Sequence, residues 1–170
     1  MNLSYKELIP ENFSVDSKVW IYQSNRIFTI HEALQIEEKL NEFTREWKSH
    51  QSPVKGFGTL FFGRFIILMA DETATGVSGC STDSSVRFIK ELEQVYHVTL
   101  FERTLLAFII KDQIQLLPVS QLKYAFENNF MNGDTLFFDN NISTKSSLME
   151  KWIIPIKDSW IWKRLSISIS

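Results

Sequence analysis

Cysteine is almost missing from this 170-residue chain: Cys80 stands alone, so no intramolecular disulfide can form, and a reducing compartment suits it. Histidine is scarce as well, at three residues. His31, His50 and His97 are dispersed and offer none of the short-spaced ligand pairs of a zinc site. Asp71-Glu72 supplies too few oxygens for a calcium or magnesium loop. No metal and no cofactor are therefore expected. Long apolar runs are absent as well. The longest, Phe65–Ala70 and Leu105–Ile110, fall far short of the roughly 20 residues that cross a bilayer. The start, MNLSYKELIPENF, has no apolar stretch of signal-peptide length, which points to a cytoplasmic protein without a membrane partner. An excess of basic charge is missing too: eighteen Lys and Arg against twenty Asp and Glu give a net charge of −2. That balance disfavours nucleic acid as a partner. Neither Gly56-Phe57-Gly58 nor Gly76-Val77-Ser78-Gly79 fits the G-x-x-x-x-G-K-[ST] phosphate cradle, which excludes a Walker-type nucleotide hydrolase.

What is present is core material. The chain is 44% hydrophobic and 14% aromatic, enough to fold as one domain over residues 1–170. The core is expected at about 18–118, with an irregular C-terminal extension over 119–170. The first residues read as a lead-in that Pro10 keeps from becoming a helix. Val19-Trp20-Ile21-Tyr22 predicts a strand. Thr29 and Glu32 have capping-box spacing. Behind them Ala33, Ile36, Leu40, Phe43 and Trp47 recur at helical intervals, so Trp47 should be buried. Phe57–Phe62 and Phe65–Ala70 predict a hairpin with a type II′ turn at Gly63-Arg64. A second amphipathic helix carries Val86, Ile89, Leu92 and Tyr96. Thr104–Ile110 and Gln113–Leu117 predict another hairpin, turned at Lys111-Asp112. Beyond Pro118 come a short helix over Gln121–Asn128, a strand at Leu136–Phe138, a helix over Ser143–Lys151 and a frayed strand at Ser166–Ser170.

Strand, helix, strand, strand, helix, strand is the order of a split βαβ unit. The fold class expected is α+β: an antiparallel sheet with helices on one face, ferredoxin-like, with an extra hairpin and the C-terminal extension.

One segment is dense in chemistry. Ser78-Gly79-Cys80-Ser81-Thr82-Asp83-Ser84 lies between a buried strand and a helix, where free amides and the helix dipole favour an anion or a thiolate. There Cys80 can serve as a nucleophile, with His50 as a base within reach, while Ser78, Gly79, Ser81, Asp83 and Ser84 contact a ligand and Arg103 binds an anion. The plainer alternative makes Ser81 to Ser84 helix caps and Cys80 a small hydrophobe. A cysteine-phosphatase loop does not fit. Six residues, not five, separate Cys80 from Arg87, and Asp83 would put a negative charge in the cradle. His31 belongs to a first helical turn, and His97 to the end of the second helix. In the tail, Trp152, Trp160 and Trp162 stand among Lys145, Lys151, Lys157, Lys163 and Arg164. They suit a small core, a protein interface or a homodimer better than single-stranded bases.

Trp47-x-x-His50, Arg64-Phe65-Ile66-Ile67-Leu68-Met69, Ser78-Gly79-Cys80-Ser81-x-Asp83-Ser84-Ser85-Val86, Leu100-Phe101-x-Arg103 and Lys157-Asp158-Ser159-Trp160 together resemble a family of small uncharacterised bacterial proteins, over residues 19–160. Its members often carry the label "ABC transporter ATPase". This chain has no Walker A motif, so that activity is not carried over. The resemblance implies a free-standing cytoplasmic protein in which the serine–glycine–cysteine segment recurs. The expected function is that of a binding domain for a small anionic or polar ligand at Ser78–Ser85. The alternatives are a cysteine-dependent enzyme and an interaction module built on the C-terminal tryptophans.

Overall fold

A computed structural model describes residues 2–49, 52–71, 73 and 79–169, without the side chains of 79–81 and 166–169. The elements in chain order are a 3-10 turn Tyr5–Leu8, β1 Lys18–Gln23, α1 Ile30–Glu46, β2 Lys48–Ser49, β3 Ser52–Pro53, β4 Lys55–Phe61, β5 Phe65–Asp71, α2 Gly79–Tyr96, β6 Leu105–Ile110, β7 Gln113–Pro118, α3 Leu122–Glu127, β8 Leu136–Phe138, α4 Lys145–Lys151, β9 Ile153–Pro155 and α5 Trp160–Ile169. The class is α+β, and every strand pairing is antiparallel. The chain divides into two compact units: Ser4–Phe101 with Asn140–Met149, and Glu102–Asp139 with Glu150–Ser170 and Met1–Leu3.

In the first of these units the sheet order is β1-β5-β4. β1 and β4 run the same way on either side of β5, with α1 between them in sequence, which is a split βαβ arrangement. The ferredoxin-like expectation stops at this third strand. β6 pairs with β7 on one edge and β8 on the other, in a separate sheet of order β7-β6-β8-β9, so it has no edge left for β1. The outer edge of β1 meets residues 143–144 instead. The Val19 amide donates to the Ser143 carbonyl at 2.9 Å, and Lys18 bridges Thr144.

α1 starts where its capping box predicts: Thr29 Oγ1 accepts from the Glu32 amide, and Glu32 accepts from the Thr29 amide. Ile36 and Leu40 on α1, with Ile89 and Leu92 on α2, cover the face of β5 that carries Ile66 and Leu68. All seven residues of β5 are buried, so its other face needs a cover as well. The segment before β1 supplies it, and this corrects the reading of that segment as a lead-in. Tyr5 packs edge-on against Phe61 at 5.9 Å, and Phe13 against Phe57 at 6.3 Å. Burial pushes the Tyr5 phenol up to about 12, so it stays protonated and donates to the Leu148 carbonyl at 2.7 Å.

Three charged groups hold this cover in place. The buried Lys145 ammonium donates to the carbonyls of Pro10, Glu11 and Phe13 at 2.7, 3.2 and 2.8 Å. Asp71, buried at the end of β5, accepts from the Ser14 amide, the Thr73 amide and hydroxyl, and Lys55 Nζ. Lys55 also donates to the Asn12 carbonyl and lies 4.6 Å from the Phe13 ring centroid.

Two local expectations change. The β4–β5 turn is not type II′ at Gly63-Arg64. Its central residues are Phe62 and Gly63, both at positive φ, with the Arg64 amide donating to the Phe61 carbonyl at 3.0 Å. The Ser166–Ser170 strand is not formed either, because the chain is helical through Ile169. Ser159 Oγ accepts from the Ile161 amide at the start of α5, and Ile161 and Leu165, one turn apart, enter the core of their unit. That core also holds Phe108, Leu122, Phe137 and Ile156. Trp152 is fully buried against Phe138, and Trp160 packs on Phe137. Among the three C-terminal tryptophans only Trp162 is exposed, so two of the three expected interface residues serve the core instead.

Trp47 is 2% exposed and caps α1 against β4, where a Cβ on Gly56 would lie 2.8 Å from its ring. Replacing Trp47 with alanine should cost about 3–5 kcal/mol, and Gly56→Ala about 1–3 kcal/mol through overpacking. Because the indole is what a new methyl group would meet, the double variant should lose clearly less than the sum in urea unfolding. Full additivity would show that the two do not meet.

Asp71 makes a second prediction. Burial works to raise its pKa, but the bonds from Thr73, the Ser14 amide and Lys55 outweigh it and hold the carboxyl well below the usual range. A lowered folded pKa stabilises fully above the unfolded value of about 3.9 and loses that contribution as pH falls further. Asp71→Asn should therefore cost roughly 1.5–3 kcal/mol at neutral pH. It should also flatten the decline in stability below about pH 4, read by thermal unfolding across an acid series.

Candidate functional site

The segment singled out by sequence is helical earlier than expected. α2 begins at Gly79, so Cys80, Ser81, Asp83 and Ser84 lie within its first two turns, not in a capping loop. Small hydroxyl residues are compatible with that place, and Asp83 is favoured near a helix N-terminus by the dipole. Asp83 is exposed, Ser84 half-buried, and Ser85 buried with its hydroxyl donating to the Thr82 carbonyl at 2.7 Å. Ser78 and His50 lie outside the described residues, as do the side chains of Cys80 and Ser81. Arg103 is exposed and belongs to the other unit. The described geometry thus assembles no nucleophile–base pair from these residues. His31 is exposed beside Gln35, and His97 ends α2 in the left-handed conformation. Among the described residues, no group of three or more His, Cys, Asp or Glu could hold a metal ion, and no helix is long and apolar enough to cross a membrane.

The groups displaced furthest from ordinary titration are structural. The Arg26 guanidinium pairs with both Glu32 oxygens at 2.8 Å and donates to the Tyr96 carbonyl at the end of α2. The hydrogen bonds from Arg26, followed by the one from the Thr29 amide, pull Glu32 down to about 2. The pair ties the start of α1 to the end of α2.

A groove that the sequence reading missed lies between the β6–β7 hairpin and α3. Lys111 and Asp112 both take positive φ, which closes the hairpin in a two-residue turn with Ile110 opposite Gln113. Gln113, Gln115 and Leu117 share one face of β7, because side chains alternate along a strand. Across from them, α3 ends in a Schellman motif. The Phe130 amide donates to the Ala125 carbonyl and the Asn129 amide to the Phe126 carbonyl, with Asn129 at φ 58°. This reversal carries Phe130 back over Tyr124, and their rings stack with centroids 6.2 Å apart.

The stacked pair borders an apolar lobe of about 290 Å³, whose other walls include Ile110, Gln115, Leu117 and Gln121. A wider lobe of about 530 Å³ shares Ile110, Gln115 and Phe130 and adds Lys111, Gln113, Asn128 and Asn129. Five carboxamides therefore surround two aromatic rings, and Lys111 is the only charged side chain in the lining. Asn128 Nδ2 is held by the Tyr124 carbonyl at 2.8 Å, which turns its Oδ1 into the spare acceptor. The sequence did carry a signal for this groove, namely five Gln and Asn residues between 113 and 129, with Tyr124 among them and Phe130 next to them.

No family model, curated protein or solved structure matches this chain.

Tyr124 and Phe130 are 63% and 61% exposed, an uncommon use of large rings that bury so little. Replacing either with alanine should change stability by less than about 1 kcal/mol, against the 3–5 typical of buried aromatics. Urea unfolding of each variant checks this, and a loss of core size would mark the pair as a structural staple.

Proposed function

We propose that this chain is a small-molecule-binding protein whose site is the groove between β7 and α3. The observation that carries the reading is the lining itself: two exposed stacked rings facing five carboxamides, with a single charge. Ligand sites are concave, largely apolar and furnished with a few polar groups that fix orientation, and both lobes have that character. Carboxamides offer a donor and an acceptor each, so the groove suits an uncharged polar ligand with a flat or apolar face. The lining holds no His, Cys, Asp or Glu, which favours binding over catalysis. The class expected from the sequence, a binding domain for a small polar ligand, is retained in this proposal. Its site moves from residues 78–85 to the groove.

Benzamide, a ring bearing one carboxamide, is a suitable probe. Saturation-transfer NMR should show contact between benzamide and the native protein, weak as fragments bind, and the double variant Tyr124→Ala/Phe130→Ala should abolish it. Equal transfer in the two proteins would remove the groove from consideration.

A further inference from the structure

The free edges of the three-stranded and four-stranded sheets are not treated alike. At the outer edge of β4, the Glu37 carboxylate accepts the Leu60 amide at 2.6 Å and the Thr59 hydroxyl at 3.1 Å, so a half-buried side chain blocks that edge. At β1, the Ser143 carbonyl takes the Val19 amide. β9 has three residues and ends in Pro155. Among the described residues, β7 lacks the side-chain and carbonyl plugs of β4 and β1 and shares with β9 only a terminal proline. It is the outer strand of its sheet, six residues long, and its sequence Gln-Ile-Gln-Leu-Leu-Pro carries no charge. Edge strands are ordinarily guarded by a charge, a proline within the strand or a covering element, because an open edge templates further pairing. Here the proline comes last, at Pro118.

The register identifies which groups are free. A two-residue hairpin closes on a hydrogen-bonded pair, Ile110 with Gln113, and hydrogen-bonded and non-bonded pairs then alternate. The Val119 amide donating to the Thr104 carbonyl keeps that alternation at the far end. The N–H and C=O groups of Ile114 and Leu116 therefore point away from β6, and no partner for them occurs among the described residues. They sit on either side of Gln115. A second β7 laid antiparallel about an axis through Gln115 would set Ile114 of each copy opposite Leu116 of the other. Each outward N–H then meets an outward carbonyl, and no like charges meet along the strand. The edge is complementary to itself.

We propose that β7 is the dimerisation strand of this protein, its occupant a second copy of the same chain paired antiparallel about Gln115. The pairing joins the two four-stranded sheets into one, which removes an edge that would otherwise be open. It also sets Gln115 of one copy beside Gln115 of the other on the groove face, so two grooves meet at the axis. The inference rests on strand geometry and does not depend on the groove binding a ligand.

Light scattering on the eluted 170-residue protein tests it, with a mass of two chains of 19.9 kDa expected. Gln115→Lys places two ammonium groups together at the axis and touches no bond to β6. It should weaken the dimer at least about tenfold, as like charges at an interface do. Gln115→Glu should do the same, and mixing the two variants should restore dimers containing one copy of each. Leu116→Pro removes an N–H that the single chain does not use, and it should give monomer. Circular dichroism establishes that each variant is folded. A single-chain mass up to roughly 100 μM, well above a micromolar dissociation constant, overturns the proposal. So does a dimer that all three substitutions leave intact, or charge variants that fail to pair when mixed.

Discussion

A strand buried on both faces must be covered twice, and β5 imposes that requirement on the unit around it. Phe65–Asp71 is flanked by β1 and β4, and none of its seven residues is exposed. One cover is conventional: α1 and α2 present Ile36, Leu40, Ile89 and Leu92. The other is made by a segment with little regular structure, whose Tyr5 and Phe13 rings reach β4. Irregular backbone has carbonyls to satisfy, and burying them without partners would be costly. Lys145 takes three of them with one ammonium, and Asp71 and Lys55 fix the next residues. These charged groups therefore act as structural ties, and the depressed titration of Asp71 follows from that duty.

The same economy explains why the split βαβ unit never gains its fourth strand. β6 is apolar along its length, and both of its edges are taken, by β7 through a two-residue turn and by β8. Residues 143–144 then meet only the start of β1. A chain that leaves one sheet at three strands and builds another of four has more outer edges to manage than a single sheet has. It manages them with Glu37, with Ser143 and with a short β9, and no described residue plugs the edge of β7.

The groove depends on the end of a six-residue helix. α3 closes with Asn129 in the left-handed conformation, which asparagine tolerates better than most residues, and the reversal folds Phe130 onto Tyr124. A hydrophobic contact of this kind commonly accompanies the motif, so the stacking alone does not define a site. What distinguishes this pair is the exposure of both rings and the carboxamides drawn in from β7 and from the helix end.

Local signals were legible in the sequence because they depend on neighbours in the chain. Thr29 and Glu32 start α1, Lys111-Asp112 turns a hairpin, the stripe ending at Trp47 lies against the core, and the α+β class follows from their order. Signals that need a distant partner were not. Lys145 reads as one more basic residue of the tail until residues 10–13 are brought to it, and Tyr5 reads as part of a lead-in until Phe61 lies beneath it. The serine–cysteine segment draws attention through composition, yet composition carries no geometry, and the described part of it is plain helix. The groove residues were hidden for the opposite reason. Gln, Asn, Tyr and Phe scattered over 113–130 look like an unremarkable surface until one turn and one helix end set them face to face. Periodicity and caps act within a few residues and so belong to the sequence. Which strand receives a partner, and which amides converge on which rings, depends on contacts between residues far apart in the chain, and only the tertiary structure decides them.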